Sequence, residues 1–432
     1  MINTKTLKEA KNIHCIGIGG IGLSAIAKML LTEGKSVSGS NLDESLVTEK
    51  LRKDGAEIFI GHDKKYITED TELVIYTIAI NDDNPELLEA KKLGIPTITY
   101  PEALGLLTEE KYTVAVAGTH GKTTTTAMCA EILIHAGKSP TVIVGSFLNK
   151  EKENFISGDS NLLVVEACEY RESFLNLSPD IAVLTNIDND HLDYFGDLEM
   201  IKKAFRKFVE RVPVDGYVVY DPEDPNSAEV VKGLECNMVK STELALELAL
   251  EQPGEFNIKN AKSAGSVAKI LGVSDEDIAS SLEAFKGTWR RQEFKGKTKE
   301  GALIYDDYAH HPTEIKAVIK GFKEKFKDKK ISVVFQPHLY SRTKLLMNDF
   351  VDALLVADGI IITDIYAARE KKDDSVNSEM LVNKINKHGE KAIYTKTFEE
   401  ITEKLSQWAG ENDVVITVGA GSIFEVGELL LN

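Results

Sequence analysis

The segment YTVAVAGTHGKTTTT (112–126) gathers the residue types best suited to chemistry. An apolar run expected to be a buried strand ends in Gly118, Thr119, His120 and Gly121. Lys122 follows, and the hydroxyls of Thr123 and Thr124 open a helix-like run. A glycine loop between a strand and a helix turns backbone N–H groups into one concavity, where the helix dipole favours phosphate. Lys122 would reach the outer phosphates, and the Thr123 hydroxyl would sit on Mg²⁺. The loop is a short G-x-x-G-K-T form, because Val116 stands where the longer pattern has its first glycine. A solvent-facing turn is the bland alternative, and the strand–loop–helix context argues against it.

A phosphate-bound Mg²⁺ takes few protein ligands, mostly oxygen. NLLVVEACE (161–169) carries Glu166 at a strand end, and DIAVLTNIDNDH (180–191) carries Asn186, Asp188, Asp190 and His191 at another. Each alone reads as a helix cap or a packed side chain. Beside the Lys122 loop, Glu166 and His191 are expected to complete a metal site with Thr123.

Two further groups stand at predicted strand ends. Gly17, Gly19 and Gly22 form G-x-G-x-x-G between a strand and a helix, with Gly20 inside it. Asn41 occupies the position where a nicotinamide-dinucleotide site usually has an acid. The loop therefore reads as a diphosphate cradle, with an NAD(P)-dependent oxidoreductase as the alternative. In the last third, DDYAHHPTEI (306–315) and FQPHLYSRT (335–343) place Asp307, His310, His311, His338, Ser341 and Arg342 after two strands. Arg342 is suited to clamp a carboxylate or a transferring phosphoryl group, and His310 or His311 is expected to touch a ligand.

The elements that must position these residues alternate. Short apolar runs are followed by amphipathic runs, such as the helix pattern at Ile315, Val318, Ile319, Phe322 and Phe326. That is an α/β signature with mostly parallel sheets. The pattern starts three times in 432 residues, with PEALGLLTEEK (101–111) as a joint and STELALELALE (241–251) as a helix. The predicted domains are 1–107, 108–288 and 289–432. A net charge of −18 opposes binding to nucleic acid or to an anionic membrane. The four cysteines are far apart, which fits a reducing cytoplasm better than a disulfide or zinc scaffold. The polar first twelve residues read as no targeting segment.

GTHGKTTTT, VVEACE, TNIDNDHLDYFG, PGEFNIKNA, GTWRRQEF, YDDYAHHPTEI and FQPHLYSRT occur in this order across essentially the whole chain. Together they resemble the Mur ligases, and the last two resemble most the branch that joins L-alanine to UDP-N-acetylmuramate. The resemblance implies an N-terminal Rossmann-like domain for the UDP-sugar, a central P-loop ATPase-type domain and a C-terminal Rossmann-like domain. It implies a cytoplasmic monomer or homodimer of peptidoglycan precursor synthesis. ATP would phosphorylate the lactoyl carboxylate, and the amine of L-alanine would displace phosphate from the acyl phosphate. Lys122, Glu166, His191, His338 and Arg342 would carry catalysis. Gly17, Gly19, Gly20, Gly22 and Asn41 would hold the UDP moiety. Asn257 and Asn260 would flank adenine, Arg291 the phosphates and Asp307 the ribose, while His338 and Arg342 would contact the amino acid or the intermediate. The chain departs from the pattern at Phe256, where a histidine is usual, and at Gln292, where an aromatic is common. Only 31 residues separate Asp221 from Pro253, where relatives carry a longer β-rich stretch. The nearest rival activity is a recycling ligase that attaches a tripeptide to the same sugar nucleotide. A non-catalytic nucleotide-binding regulator is a further alternative.

Overall fold

The computed structural model describes residues 4–148, 153–247, 250–368 and 370–431. The chain forms two compact units, residues 1–249 with 259–285, and residues 250–258 with 286–432. Among the described residues three sheets carry the fold, two in the first unit and one in the second.

The first sheet contains β1 (Asn12–Ile16), β2 (Ser36–Asn41), β3 (Glu57–Ile60), β4 (Leu73–Tyr76) and β5 (Thr97–Thr99). All its pairings are parallel, in the order β3-β2-β1-β4-β5. The order reverses between β1 and β4, so the glycine loop after β1 opens at the switch point, where such sheets take ligands.

The second sheet contains β6 (Tyr112–Ala117), β7 (Thr141–Ile143), β8 (Phe155–Ile156), β9 (Leu162–Glu166), β10 (Ile181–Leu184), β11 (Tyr217–Tyr220) and β12 (Asn237–Lys240). Its order is β12-β11-β10-β6-β9-β7-β8, parallel except for β8 against β7. β6, β9 and β10 are apolar along almost their whole length because helices cover both faces. Ala117 pairs with Leu184, and Val116 with Glu166. That register brings the loop after β6 beside the ends of β9 and β10.

The second unit's sheet contains β13 (Glu293–Lys297), β14 (Leu303–Asp307), β15 (Lys330–Phe335), β16 (Gly359–Ile362), β17 (Ala392–Tyr394) and β18 (Asp413–Val418). Its order is β13-β14-β18-β15-β16-β17, with β13 antiparallel. Asp307 and Phe335 both pair with Val418, so Asp307, Gln336 and Gly419 share one end of the sheet. Ile315, Val318, Ile319 and Phe322 are buried along the helix Pro312–Lys325, as their spacing predicts.

Two expected connections differ. The stretch expected as a joint after β5 is a packed helix, Tyr100–Thr108, capped reciprocally by Thr99 and Glu102. Ala103 and Leu104 are buried, and a Cβ on Gly105 would come within 2.5 Å of the Asn176 carbonyl oxygen. The expected helix at 241–251 is not formed among the described residues. Ser241–Glu243 is a single 3₁₀ turn, and residues 248–249 lie outside the described residues. Leu244 explains the difference: it is buried against Gly265, and that packing outweighs the helical propensity of a short, uncapped run.

A buried ion pair fixes the start of the second unit's sheet. The Arg290 guanidinium donates to Asp306 at 2.7 Å and to the carbonyls of Gly419 and Gly421 at 2.6 and 2.8 Å. The side chains of Arg290 and Asp306 are 3% and 0% exposed. Arg290→Met leaves the buried Asp306 carboxyl without its counter-charge, with only the Thr417 hydroxyl still donating to it, which should cost about 3–5 kcal/mol. Urea unfolding followed on this unit checks it, and a loss below about 1 kcal/mol would contradict the role given to the pair.

Candidate functional site

β6 delivers the chain into Gly118 and Gly121, whose φ values are +145° and +83°. A Cβ on Gly118 would lie 1.9 Å from Thr185 Oγ1, and one on Gly121 would lie 2.5 Å from Asn260 Oδ1. Backbone conformation and space therefore both require glycine at these two positions. The end of β10 braces the loop. Thr119 N–H donates to the Asn186 carbonyl at 2.9 Å, and His120 N–H to Asn186 Oδ1 at 2.9 Å. Asn186 Nδ2 and Thr185 Oγ1 both donate to the His120 carbonyl. These bonds engage the amides of Thr119 and His120. The helix Lys122–His135 begins at Gly121 without a side-chain cap, so no capping side chain takes up the amides of its first turn.

Lys122 Nζ lies over this loop. It donates to the carbonyls of Gly118 and Thr119 at 2.6 and 3.0 Å, and to Glu169 Oε1 at 3.0 Å. Burial works against its charge, but the Glu169 carboxylate, foremost among the opposing charges, holds it above the usual lysine range. Thr123 Oγ1 donates to Glu166 Oε2 at 3.0 Å, and Gly145 N–H donates to the same oxygen at 2.9 Å. His191 has a φ of +52°, and its Nε2 lies 3.7 Å from Glu169 Oε1. Lys122, Thr123, Glu166 and His191 thus belong to one connected cluster, and Asn260 borders it at Gly121. Glu169, Thr185 and Asn186 complete it. Sequence reasoning gave Glu169 and Thr185 no role and read Asn186 only as a candidate at a strand end. The second acid of VVEACE was the signal for Glu169.

The glycine loop after β1 is a separate feature of the first unit. Gly17 has a φ of +79°, and a Cβ there would meet Thr77 at 2.5 Å. Gly20 N–H closes the turn on the Gly17 carbonyl at 3.0 Å, and Gly22 lies against the Tyr100 ring. Asn41 Oδ1 accepts the Gly19 N–H at 3.2 Å. Asn41 is therefore built into the loop through its amide, a bond that its acceptor oxygen supplies without placing an anion there.

In the second unit, Asn257, Gln292 and Asp307 are linked. Asn257 Nδ2 donates to Gln292 Oε1 at 2.8 Å, and Gln292 N–H donates to Asp307 Oδ2 at 2.9 Å. Ala309 N–H takes the other Asp307 oxygen at 2.7 Å. Arg291 stands over the Tyr308 ring, 5.2 Å from its centroid. His338 stacks against Tyr366 at 5.8 Å and meets His310 edge-on at 5.7 Å. Arg342 is half-buried in the helix Tyr340–Leu345, beyond β15. His311, weighed above as a ligand contact, is the N-cap of the helix Pro312–Lys325. Its Nδ1 accepts the Thr313 N–H at 3.3 Å, and Glu314 accepts its own N–H at 3.2 Å. The histidine ring nitrogen does here what a serine or aspartate oxygen usually does.

A glycine loop that leads from a strand of a mostly parallel sheet through Lys122 into a helix defines a P-loop-type α/β protein. Residues 12–112, 116–243 and 290–421 match, respectively, the Mur ligase family catalytic domain, the Mur ligase middle domain and the Mur ligase glutamate ligase domain. The chain belongs to the Mur ligase family. It is similar to a UDP-N-acetylmuramate–L-alanine ligase of Caldanaerobacter subterraneus subsp. tengcongensis, at 45% identity over 98% of each chain. It is 43% identical to a protein of the same name from Clostridium kluyveri, again over 98% of each chain. Among solved structures it resembles the UDP-N-acetylmuramate–alanine ligase of Thermotoga maritima, with a TM-score of 0.81 and 32% identity over 97% of this chain and 98% of that one. A murein peptide ligase from Psychrobacter arcticus shares the fold, with a TM-score of 0.69 at 21% identity over 98% of each chain.

Asp307 gives a pH test of the second unit. Burial pushes its carboxyl from 3.8 up to about 6, against the opposing pull of Arg291 and of the Ala309 and Gln292 amides. The folded chain therefore holds the proton more tightly than the unfolded chain. This contribution to stability is complete below about pH 4 and is lost as the pH rises through about 6, on the order of 3 kcal/mol in all. Asp307→Asn cannot ionise. The stability of the wild type relative to that variant should fall by roughly this amount between about pH 4 and pH 7. A difference that stays constant with pH would refute the shift.

Proposed function

We infer that the chain is an ATP-dependent ligase joining L-alanine to the lactoyl carboxylate of UDP-N-acetylmuramate in peptidoglycan precursor synthesis. The observation that carries this reading is full-length identity of 45% and 43% to two proteins of that name. The Lys122 cluster supplies the chemistry the reaction needs. A carboxylate is a poor electrophile, so it must first gain a phosphoryl leaving group. Phosphoryl transfer asks mainly for positioning and charge neutralisation. Gly118, Thr119, His120, Gly121 and Thr124 shape the loop around the triphosphate, and the first-turn amides with Lys122 bind its oxygens.

Thr123 Oγ1 and Glu166 Oε2, 3.0 Å apart, are hard oxygen donors of the kind Mg²⁺ selects, and His191 is the third member of this set. Mg²⁺ held there supplies charge neutralisation on the phosphates. Gly17, Gly19, Gly20, Gly22 and Asn41 form the cradle for the UDP diphosphate. Asn257 and Asn260 are assigned to adenine, Arg291 to the phosphates and Asp307 to the ribose. His338 and Arg342 are assigned to the amino acid and the intermediate. The three functional regions are 1–107, 108–288 and 289–432. The working form is a cytoplasmic monomer or homodimer. Among the described residues no helix is long and apolar enough to cross a membrane.

Incubation with ATP, Mg²⁺ and UDP-N-acetylmuramate should release phosphate when L-alanine is added. Turnover with the tripeptide alone would replace this reading by the recycling reaction. Lys122→Ala should lower turnover by at least about 100-fold with folding intact. Undiminished turnover would remove the loop from the mechanism.

A further inference from the structure

Glu169 stands between two groups to which the ligase reading gives separate tasks. It is 3% exposed and lies three residues beyond the end of β9, before a turn in which Arg171 and Glu172 both have a φ of +53°. Its Oε1 and Oε2 lie 3.0 and 2.9 Å from Lys122 Nζ, and the same Oε1 lies 3.7 Å from His191 Nε2. The Tyr170 ring backs His191, with ring centroids 4.7 Å apart. An ammonium has three donors. Lys122 gives two of them to the carbonyls of its own loop and the third to Glu169. A lysine that serves phosphate oxygens has to exchange the loop carbonyls for them. The bond to Glu169 is the only one of the three that need not be exchanged, because it comes from a side chain outside the loop.

We propose that Glu169 is a positioning residue of phosphoryl transfer: it anchors Lys122 by one N–H while the other two pass from Gly118 and Thr119 to the nucleotide, and it orients His191 beside the cation. This rests on the ATP-ligase reading. An anchor of this kind acts on alignment in the transition state more than on ground-state binding, because the loop amides still hold the phosphates. It also acts on the cation through His191, as an outer partner does on a metal ligand.

The test compares the wild type, Glu169→Gln and Glu169→Asp in full-length protein, with steady-state kinetics in ATP and Mg²⁺. Glu169→Gln keeps the size and loses the charge. It should lower kcat by about 100-fold, change KM for ATP by less than about threefold, and raise the half-saturating Mg²⁺ concentration about tenfold. Glu169→Asp keeps the charge at shorter reach and should recover part of kcat. A kcat for Glu169→Gln within about threefold of wild type would overturn the proposal while leaving the ligase reading intact. Loss of cooperative unfolding in both variants would overturn it too, because Glu169 would then serve the fold. A wild type that neither binds nor consumes ATP would overturn both readings.

Discussion

A buried ammonium must satisfy three donors with acceptors from its surroundings, and nearly everything around the Lys122 loop follows from that requirement. The carbonyls of Gly118 and Thr119 can serve only because the loop turns back on itself at two positive-φ glycines. The turn holds its shape only because Thr185 and Asn186 brace His120 from the end of β10. β10 stands there because the sheet order places it directly beside β6. Sheet order, glycine conformation and side-chain chemistry are thus successive conditions for one charged group.

The chain's acidic balance sharpens this arrangement. With 69 acidic and 51 basic side chains, the long-range field repels anions. Under the ligase reading, attraction of an anionic nucleotide falls to short-range features, the helix-start amides and the Lys122 ammonium. Glu166 and Glu169 add negative charge at that very point. Glu166 is tied to Thr123 and the Gly145 amide, while Glu169 is tied to Lys122. The two acids of one motif, three residues apart, are therefore divided between the Thr123 hydroxyl with the Gly145 amide and the Lys122 ammonium.

Much of this was legible in the sequence because the signals were local. Apolar strand, glycine spacing and lysine together located the loop, and the buried face of the helix Pro312–Lys325 followed from its periodicity. The alternation of strands and helices gave the fold class. What escaped was set by tertiary packing. Glu169 sits in an irregular turn, where no period assigns a direction to a side chain. The capping role of His311 went unread, although Pro312 after it marks the helix start. β12 escaped because NMVK is a short, mostly exposed strand at the sheet edge, without an apolar run. The helix expected at 241–251 failed because one leucine had a burial site available only in the folded unit.

The path of the chain between its two units bears on how the protein is made. Residues 250–258 belong to the second unit, yet 259–285 return to the first before the rest of the second unit follows. Within the second unit, the Glu251 carbonyl accepts from Lys325, Asn257 bonds Gln292, and Gly254 lies against Gly321. During synthesis, this short piece emerges before Gln292 and the helix Pro312–Lys325 that it packs against. The second unit is thus a discontinuous folding unit. A gene fragment starting at residue 286 would encode all the strands described for this unit and still lack the strip that packs on Gln292 and the helix Pro312–Lys325.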